Sequence, residues 1–309
     1  MKKMTHIKLW TLLLSFTFFL TYPASHTQAV EATSVKVTDM VGREVVLEEG
    51  PAKEIVALMP ADAEILFELG VGDRLIGRGA YVDYPAEEVE DIPAIATGQD
   101  LNVEEIIKLS PDLVIMSTMT LTPDQLEAVE VADIPVIITD AKTLEEVYTA
   151  IELIGQVTAS EDKANQLVEE MQATFQEFQA KVEDINEEKT VYYEISPLEF
   201  GLWTAGSQTF MDEIGQMLKL ENIFVDQEGF VEVSEEQVLL ANPAYIITTS
   251  VPMDPKAVQA DQEILDRENW QEVAAVQDQQ VFAVDNSAFT RPGPRLMDAI
   301  KELYQIVYE

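Results

Sequence analysis

Aromatic side chains stand in loops where a predicted strand gives way to a helix, and they are the residues best placed for binding chemistry. Tyr81 and Tyr84 share one such loop, Trp203 lies in a second, and Phe230 precedes a third helix. In open α/β sheets, ligands bind beyond the carboxyl ends of the strands, where these loops lie. Aromatic rings offer flat, rigid apolar area with a polar edge, which suits a large planar or chelated ligand.

The loop before the last predicted helix carries Phe289 and Arg291. A guanidinium forms charged hydrogen bonds, so Arg291 is expected to bind a carbonyl or carboxylate of a ligand. For each aromatic residue taken alone, packing in the core is an equally good explanation. Their shared placement, in strand-to-helix loops of both halves of the chain, favours ligand contact.

Motifs for catalysis are missing from the sequence. There is no cysteine, and the two histidines, His6 and His26, both lie near the N-terminus. This composition argues against thiolate sites, disulfides, histidine-based catalysis and metal held by histidine. No Gly-rich phosphate loop and no Gly-x-Ser-x-Gly elbow is present. We therefore expect neither an enzyme nor a resident metal or cofactor.

The charge balance excludes further classes of partner. The 309 residues include 57 acidic and 19 basic ones, a net charge of −38. Such a surface repels nucleic acid and anionic lipid headgroups. A solvated surface that keeps the protein soluble explains this charge better than a specific cationic partner does.

Residues 1–29 have the pattern of a signal peptide. Three lysines come first, an apolar run spans Leu9 to Tyr22, and the small residues of Thr27-Gln28-Ala29 offer a cleavage point. The apolar run is short for a membrane span. The sequence thus predicts an exported protein, in a periplasm or on the outer face of the cytoplasmic membrane. An uncleaved leader that anchors the chain is the alternative.

Apolar periodicity predicts two α/β lobes around a helical middle. A hairpin is expected over Val35 to Leu47, and strand–helix units follow on both sides of the middle. The expected parts are an N-terminal lobe at 30–143, a helical segment at 144–184 and a C-terminal lobe at 185–309. Gly155 is taken to separate the two halves of the helical segment, and Thr158-Ala159-Ser160-Glu161 to cap the second half.

The second half of that segment, about 24 residues, would be roughly 36 Å long and could connect the lobes as a strut. Packing on one domain alone is the other interpretation. An internal echo supports two similar lobes, since Glu104 to Ile115 resembles Glu236 to Ile247 at an offset of 132 residues. Chance similarity of two α/β units is the alternative.

An ordered set of segments resembles the substrate-binding proteins of cobalamin and iron–siderophore ABC importers, the class III periplasmic binding proteins. The resemblance covers roughly Val35 to Tyr308, and no single motif in it is decisive. The segments are Met59 to Gly70, Tyr81 to Pro85, Gln99 to Glu104, Pro111 to Ile115, Glu221 to Phe224, Val233 to Gln237 and Gly293 to Leu296.

The resemblance implies two α/β lobes, each with a mostly parallel sheet flanked by helices, joined by one long α-helix that allows only small opening motions. The ligand would lie between the lobes, with Gln99 added to the candidate contacts. It also implies docking onto a membrane permease and its ATPase through one acidic residue per lobe. Glu64 matches the N-lobe position as an exposed acid, and Glu213 replaces the C-lobe position, where the chain has Gln216. A monomer is expected.

Departures from the family pattern bear on the ligand. No lipid-attachment cysteine follows the leader. Cobalamin-binding members carry tryptophan where this chain has Gly98 and where it has Phe230. Gly98 and Gln99 occupy the region that supplies iron ligands in haem-binding members, which disfavours haem. Catecholate receptors use several basic residues, and here only Arg78 and Arg291 are visible. Cobalamin is therefore the first expectation and a neutral or hydroxamate ferric siderophore the second. An extracellular sensor or scavenger on the same scaffold is the alternative function.

Overall fold

The computed structural model describes residues 33–120, 122–252 and 258–309. The predicted leader lies outside this part. Two parallel sheets, one from each half of the chain, carry the fold.

The N-terminal lobe has a five-stranded parallel sheet in the order β5-β4-β3-β6-β7, preceded by the antiparallel hairpin β1–β2. Its strands and helices are β1 Val35–Thr38, β2 Glu44–Leu47, β3 Ile55–Ala57, α1 Pro60–Glu68, β4 Leu75–Gly79, α2 Ala86–Val89, β5 Ala94–Ile95, α3 Val103–Leu109, β6 Leu113–Met116, α4 Pro123–Val131 and β7 Val136–Ile138. The predicted hairpin is confirmed.

The C-terminal lobe has a four-stranded parallel sheet in the order β10-β8-β12-β13 and a separate antiparallel pair, β9 with β11. Its strands and helices are β8 Lys189–Glu194, β9 Leu202–Ala205, α7 Phe210–Met217, β10 Leu220–Asn222, β11 Phe230–Val233, α8 Glu235–Ala241, β12 Tyr245–Thr248, α9 Ala260–Leu265, α10 Ala274–Gln277, β13 Val281–Ala283, α11 Asn286–Thr290 and α12 Leu296–Tyr308. The predicted α/β class is confirmed.

Two helices connect the sheets, α5 at Leu144–Thr158 and α6 at Glu161–Lys181. Helix α6 has 21 residues and is about 32 Å long at 1.5 Å per residue. It packs on α5 along one side and on α7 and α12 of the C-terminal lobe. It buries Met171 and Phe175 in these contacts. Helix α6 is therefore the long connecting helix that the sequence predicted.

The junction of α5 and α6 corrects one detail of the prediction. Gly155 does not separate the helices, because α5 continues through it to Thr158. A Cβ atom at Gly155 would lie 2.6 Å from the Cβ of Ala164, so the glycine allows α6 to approach closely. Ser160 stands at the N-cap of α6, but its side chain forms no capping hydrogen bond, so the predicted capping box is wrong.

The largest core cluster is shared by the two lobes. It includes Ile65 of α1, Val147 of α5, Met171 of α6, Ile214 of α7 and Leu303 of α12. Two smaller clusters pack on the sheet of one lobe each. Close-packed interiors resist deformation. Rotation of one lobe against the other must therefore strain this continuous core.

The internal repeat in the sequence is also a repeat in the structure. Helices α3 and α8 both end in a residue with left-handed backbone, Ser110 at φ 53° and Asn242 at φ 50°, and both caps lead through a proline into a central strand. The strands β6 and β12 begin at Leu113 and Tyr245, which keeps the offset of 132 residues. The same helix–cap–strand unit is thus built once in each lobe.

Candidate ligand-binding crevice

The carboxyl ends of the two parallel sheets face each other. Helix α1, which follows β3, and the loop that follows β4 meet the segment between α11 and α12, which follows β13. Gly293 of that segment is so close to α1 that a Cβ placed on it would lie 3.6 Å from the Cβ of Ala61. This arrangement places the strand-to-helix loops of both lobes around one crevice, the usual location of ligands in such folds.

A cluster of charges closes one side of the crevice. Arg291 Nη1 lies 2.7 Å from Glu64 Oε1 and 2.7 Å from Asp83 Oδ1. Arg295 Nη1 lies 3.7 Å from the same Glu64 oxygen, and the Arg295 guanidinium carbon lies 4.7 Å from the centre of the Tyr84 ring. Two acids of the N-terminal lobe thus hold two arginines of the C-terminal lobe. We call these four charged residues the interlobe cluster.

The two acids of the interlobe cluster differ in burial and in the direction of their pKa shifts. The Glu64 side chain is only 2 % exposed, and burial raises the pKa of Glu64 although the hydrogen bond from Arg291 opposes that shift. Asp83 lies at the surface, and its hydrogen bond with Arg291 lowers the pKa of Asp83. The same guanidinium therefore compensates a desolvated carboxylate on one side and a solvated one on the other.

The expectation that Glu64 is an exposed acid is wrong, since Glu64 is buried and paired with Arg291. Glu213 is half-buried, and its Oε2 accepts a hydrogen bond at 2.7 Å from the backbone N–H of Leu144, the first residue of α5. A carboxylate at a helix N-terminus stabilises the helix. Both predicted docking acids therefore take part in contacts within the chain.

Arg291 and Phe289 also depart from their predicted surroundings. The expected hydrogen bond of Arg291 to a ligand competes with its two acidic partners. The expectation that Phe289 lies in a ligand-facing loop is wrong, because Phe289 belongs to helix α11 and is 2 % exposed in the shared core. A five-residue helix turns the ring inward, which the sequence pattern did not show.

The remaining aromatic candidates are exposed. Tyr81 is 75 % exposed on the loop after β4, and Tyr84 is the ring beneath Arg295. Trp203 on β9 and Phe230 on β11 are 40 % and 37 % exposed on one antiparallel pair. Phe230 also packs on Phe210, with ring centres 5.9 Å apart. These side chains leave apolar area available to a ligand.

At the crevice, the two lobes contact each other through Tyr84 and the interlobe cluster. Gln99 is exposed in a short turn before α3. None of the contacts among the described residues joins Tyr81 or Gln99 to Trp203 or Phe230. That these four side chains contact one ligand stays a prediction.

Arg78 has a structural role that the sequence did not indicate. Its guanidinium donates hydrogen bonds to the backbone oxygens of Val82 at 2.8 Å and Val89 at 2.9 Å. It thereby fixes the loop that carries Tyr81 and Tyr84. Of the two basic residues expected near the ligand, Arg78 donates hydrogen bonds to backbone oxygens and Arg291 forms ion pairs with acidic side chains.

Asp62 is an ionisable residue at the crevice that sequence reasoning missed. Its side chain is 2 % exposed, and Oδ1 accepts a hydrogen bond at 2.8 Å from the Thr139 hydroxyl. Its other oxygen has no partner among the described residues. Burial, aided by the charge of Asp140, raises the pKa of Asp62 to about 7. In the sequence, Asp62 is one acid among 57, so no local signal could single it out.

Within the described ranges, no group of three or more potential ligand side chains is arranged to hold a metal ion. The helices of the same ranges include none with the length and apolar character needed to cross a membrane.

Comparison with known proteins agrees with this architecture. An uncharacterized ABC transporter substrate-binding lipoprotein of Bacillus subtilis, YvrC, is 35 % identical over 286 residues, which are 91 % of this chain and 88 % of the relative. The crystal structure of the periplasmic vitamin B12 binding protein BtuF of Vibrio cholerae aligns with a TM-score of 0.68 and 27 % identity, over 83 % of this chain and 96 % of that one.

A possible iron-binding (periplasmic solute-binding) protein of Staphylococcus epidermidis aligns with a TM-score of 0.70 and 27 % identity, over 84 % of this chain and 99 % of that one. A family profile described as periplasmic binding protein matches residues 55–288. These residues include most of both sheets and the two helices between them. The chain belongs to the periplasmic binding protein family.

Proposed function

We propose that this protein is the extracytoplasmic receptor of an ABC importer and that it binds cobalamin between its two lobes for delivery to a membrane permease. A hydroxamate ferric siderophore is the second candidate ligand. The observation that carries the proposal is the facing pair of sheet edges, with exposed aromatic rings on the loop after β4 in one lobe and on the pair β9–β11 in the other. Likeness to a vitamin B12 binding protein and to a possible iron-binding protein supports this ligand range.

The charges at the crevice favour a ligand without strong negative charge. Arg291 and Arg295 are engaged by Glu64, Asp83 and Asp285. An anionic catecholate chelate would have to take these arginines from their acids and leave Glu64 buried without a partner, which is costly. Cobalamin and hydroxamate chelates present amides and carbonyls, which can hydrogen-bond at the crevice without displacing that pair.

A ligand panel tests the proposal. The mature chain from Val30, mixed with cyanocobalamin, a ferric hydroxamate siderophore or haem, should melt at higher temperature with one of the first two, since selective binding to the folded state stabilises it. Tryptophan fluorescence should fall with the same ligand. Trp203→Phe should remove most of that change, whereas Trp270→Phe should retain it, because Trp270 is buried in the C-lobe core. No response to any of the three ligands would refute the proposal.

The docking surface is better placed at two other acids. Glu104 in the first turn of α3 and Glu236 in the first turn of α8 are both exposed, and they occupy equivalent places in the repeated unit of the two lobes. We infer that they, rather than the buried Glu64 and the helix-capping Glu213, meet basic residues of the permease. Each lobe has an acid at the same place. A permease with two related halves could therefore form one contact with each lobe.

A further inference from the structure

A side pocket opens at the carboxyl edge of the C-terminal sheet, beside the crevice. It lies between the loop that follows β8 and the residues that follow β12, and it has a volume of about 420 Å³. Its apolar walls come from Pro197, Leu198, Val251, Pro252 and Val258, all of the C-terminal lobe. A pocket of this size falls in the range that binds small molecules or one arm of a larger one.

The rim of this side pocket exposes unusually apolar side chains. Val251 is 65 % exposed, Val258 56 % and Leu198 36 %. In a chain with a net charge of −38, a cluster of exposed apolar residues indicates a surface that is covered in function. An apolar group that enters the pocket would cover it.

The floor of the side pocket is an ion cluster with excess negative charge. Arg267 donates to both oxygens of Glu194 at 2.8 Å each and to Glu263 at 2.6 and 3.1 Å. The wall adds Glu199. The pocket lining thus includes three carboxylates, and the single guanidinium that pairs with two of them is fully engaged. An anionic group entering here would meet unbalanced negative charge in a partly desolvated place.

One hydroxyl in the pocket lacks a partner. Ser250 lines the cavity, and its buried Oγ has no hydrogen-bond partner among the described residues. Buried hydroxyls in folded proteins are normally paired. A ligand atom that accepts or donates a hydrogen bond would supply the missing contact, since a hydroxyl can do either.

We propose that this side pocket binds an uncharged aromatic arm of the transported ligand, one that carries a hydrogen-bonding nitrogen or oxygen for Ser250. The inference rests on the proposed function for the identity of the whole ligand, but the pocket's preference can be measured with a fragment. Pro197 and Pro252 line the pocket and provide apolar area for the ring of such an arm.

The test uses saturation-transfer NMR on the mature chain with two probes, 5,6-dimethylbenzimidazole and anionic 2,3-dihydroxybenzoate. The uncharged probe should bind and the anionic one should not. Val251→Asp should weaken binding of the uncharged probe at least about tenfold, because it places an unpaired charge at the apolar rim. Ser250→Ala should weaken it less. Val131→Asp, a change of the same kind on exposed α4 of the other lobe, should leave it unchanged.

Failure of the wild-type chain to bind 5,6-dimethylbenzimidazole, equal binding by Val251→Asp, or preference for the anionic probe would each overturn the side-pocket inference. None of these outcomes bears on whether the whole chain binds cyanocobalamin, which is measured separately. Conversely, a chain that binds the fragment in the predicted way but no cobalamin or siderophore would retain the pocket and refute the proposed transport ligand.

Discussion

Arg291 of the C-terminal lobe and Glu64 of the N-terminal lobe form an ion pair of 2.7 Å across the crevice, although 227 positions separate them in the chain. The pair is nearly buried and lies beside the carboxyl edges of both sheets. Together with the shared core, it resists separation of the lobes. The two lobes are thus held together by the ion pairs of the interlobe cluster and by packing around α6.

We expect Glu64→Gln to destabilise the protein by about 3 kcal/mol, because breaking a buried pair leaves the remaining charge poorly compensated. Asp83 remains a partner of Arg291, so the loss of stability should not exceed this value. Urea unfolding at pH 8 measures the change. Glu68→Gln, an exposed position one turn along the same helix, should change the free energy of unfolding by less than about 0.5 kcal/mol. Equal effects at both positions would remove the structural role of the pair.

The buried Asp62 should make stability depend on pH. Its folded pKa of about 7 lies above the ordinary pKa of 3.8, so the folded chain keeps this proton to higher pH than the unfolded chain does. The contribution of Asp62 to the free energy of unfolding should therefore fall as pH rises from about 4 to about 7 and then level off. Asp62→Asn stays neutral and can still accept from Thr139, so it should remove this fall.

The difference in stability between Asp62→Asn and wild type should grow by on the order of 3 kcal/mol between pH 5 and pH 8. Denaturant titrations at several pH values measure it, and the exposed Asp91→Asn serves as the control substitution. A difference for Asp62→Asn that stays constant over this range would show that Asp62 ionises normally in the folded protein.

The docking inference predicts a loss of transport without a loss of ligand binding. Glu104→Lys combined with Glu236→Lys should abolish receptor-stimulated ATP hydrolysis by the cognate permease and ATPase in vesicles, because both contacts would become repulsive. Affinity for cyanocobalamin should remain within about twofold, since neither acid belongs to the candidate ligand contacts. Glu127→Lys on α4, also exposed, is the matched control. Normal stimulation by the double variant would place docking elsewhere.

Local patterns predicted the fold well because its elements have strong local signals. Helix α4 begins at Pro123, and Thr122 and Gln125 form a capping box at its start. Strands β6 and β12 are short apolar runs that follow a proline. The pair β9–β11 was missed, because its pairing depends on partners about 28 residues apart rather than on a tight turn.

The site was less predictable because its decisive contacts are long-range. No residue near Glu64 in the sequence indicates that its partner lies 227 positions away. Phe289 looks like a loop residue until the short helix α11 turns it into the core. The sequence shows no partner for Arg78, but in the structure its guanidinium donates a hydrogen bond to a backbone oxygen of its own loop. Tyr81 is exposed on a strand-to-helix loop, as its place in the sequence suggested, whereas Trp203 lies on strand β9 and not in the predicted loop.

Isothermal titration of cyanocobalamin into the mature wild-type chain, Tyr81→Ala and Trp203→Ala tests the central claim most directly, because these exposed residues belong to different lobes. We expect one ligand per wild-type chain and an affinity lowered about tenfold or more in each variant, with the affinity of the exposed Val131→Ala unchanged. An absence of binding by the wild-type chain to cyanocobalamin and, in the same experiment, to a ferric hydroxamate siderophore would contradict it. So would an unchanged affinity in both aromatic variants.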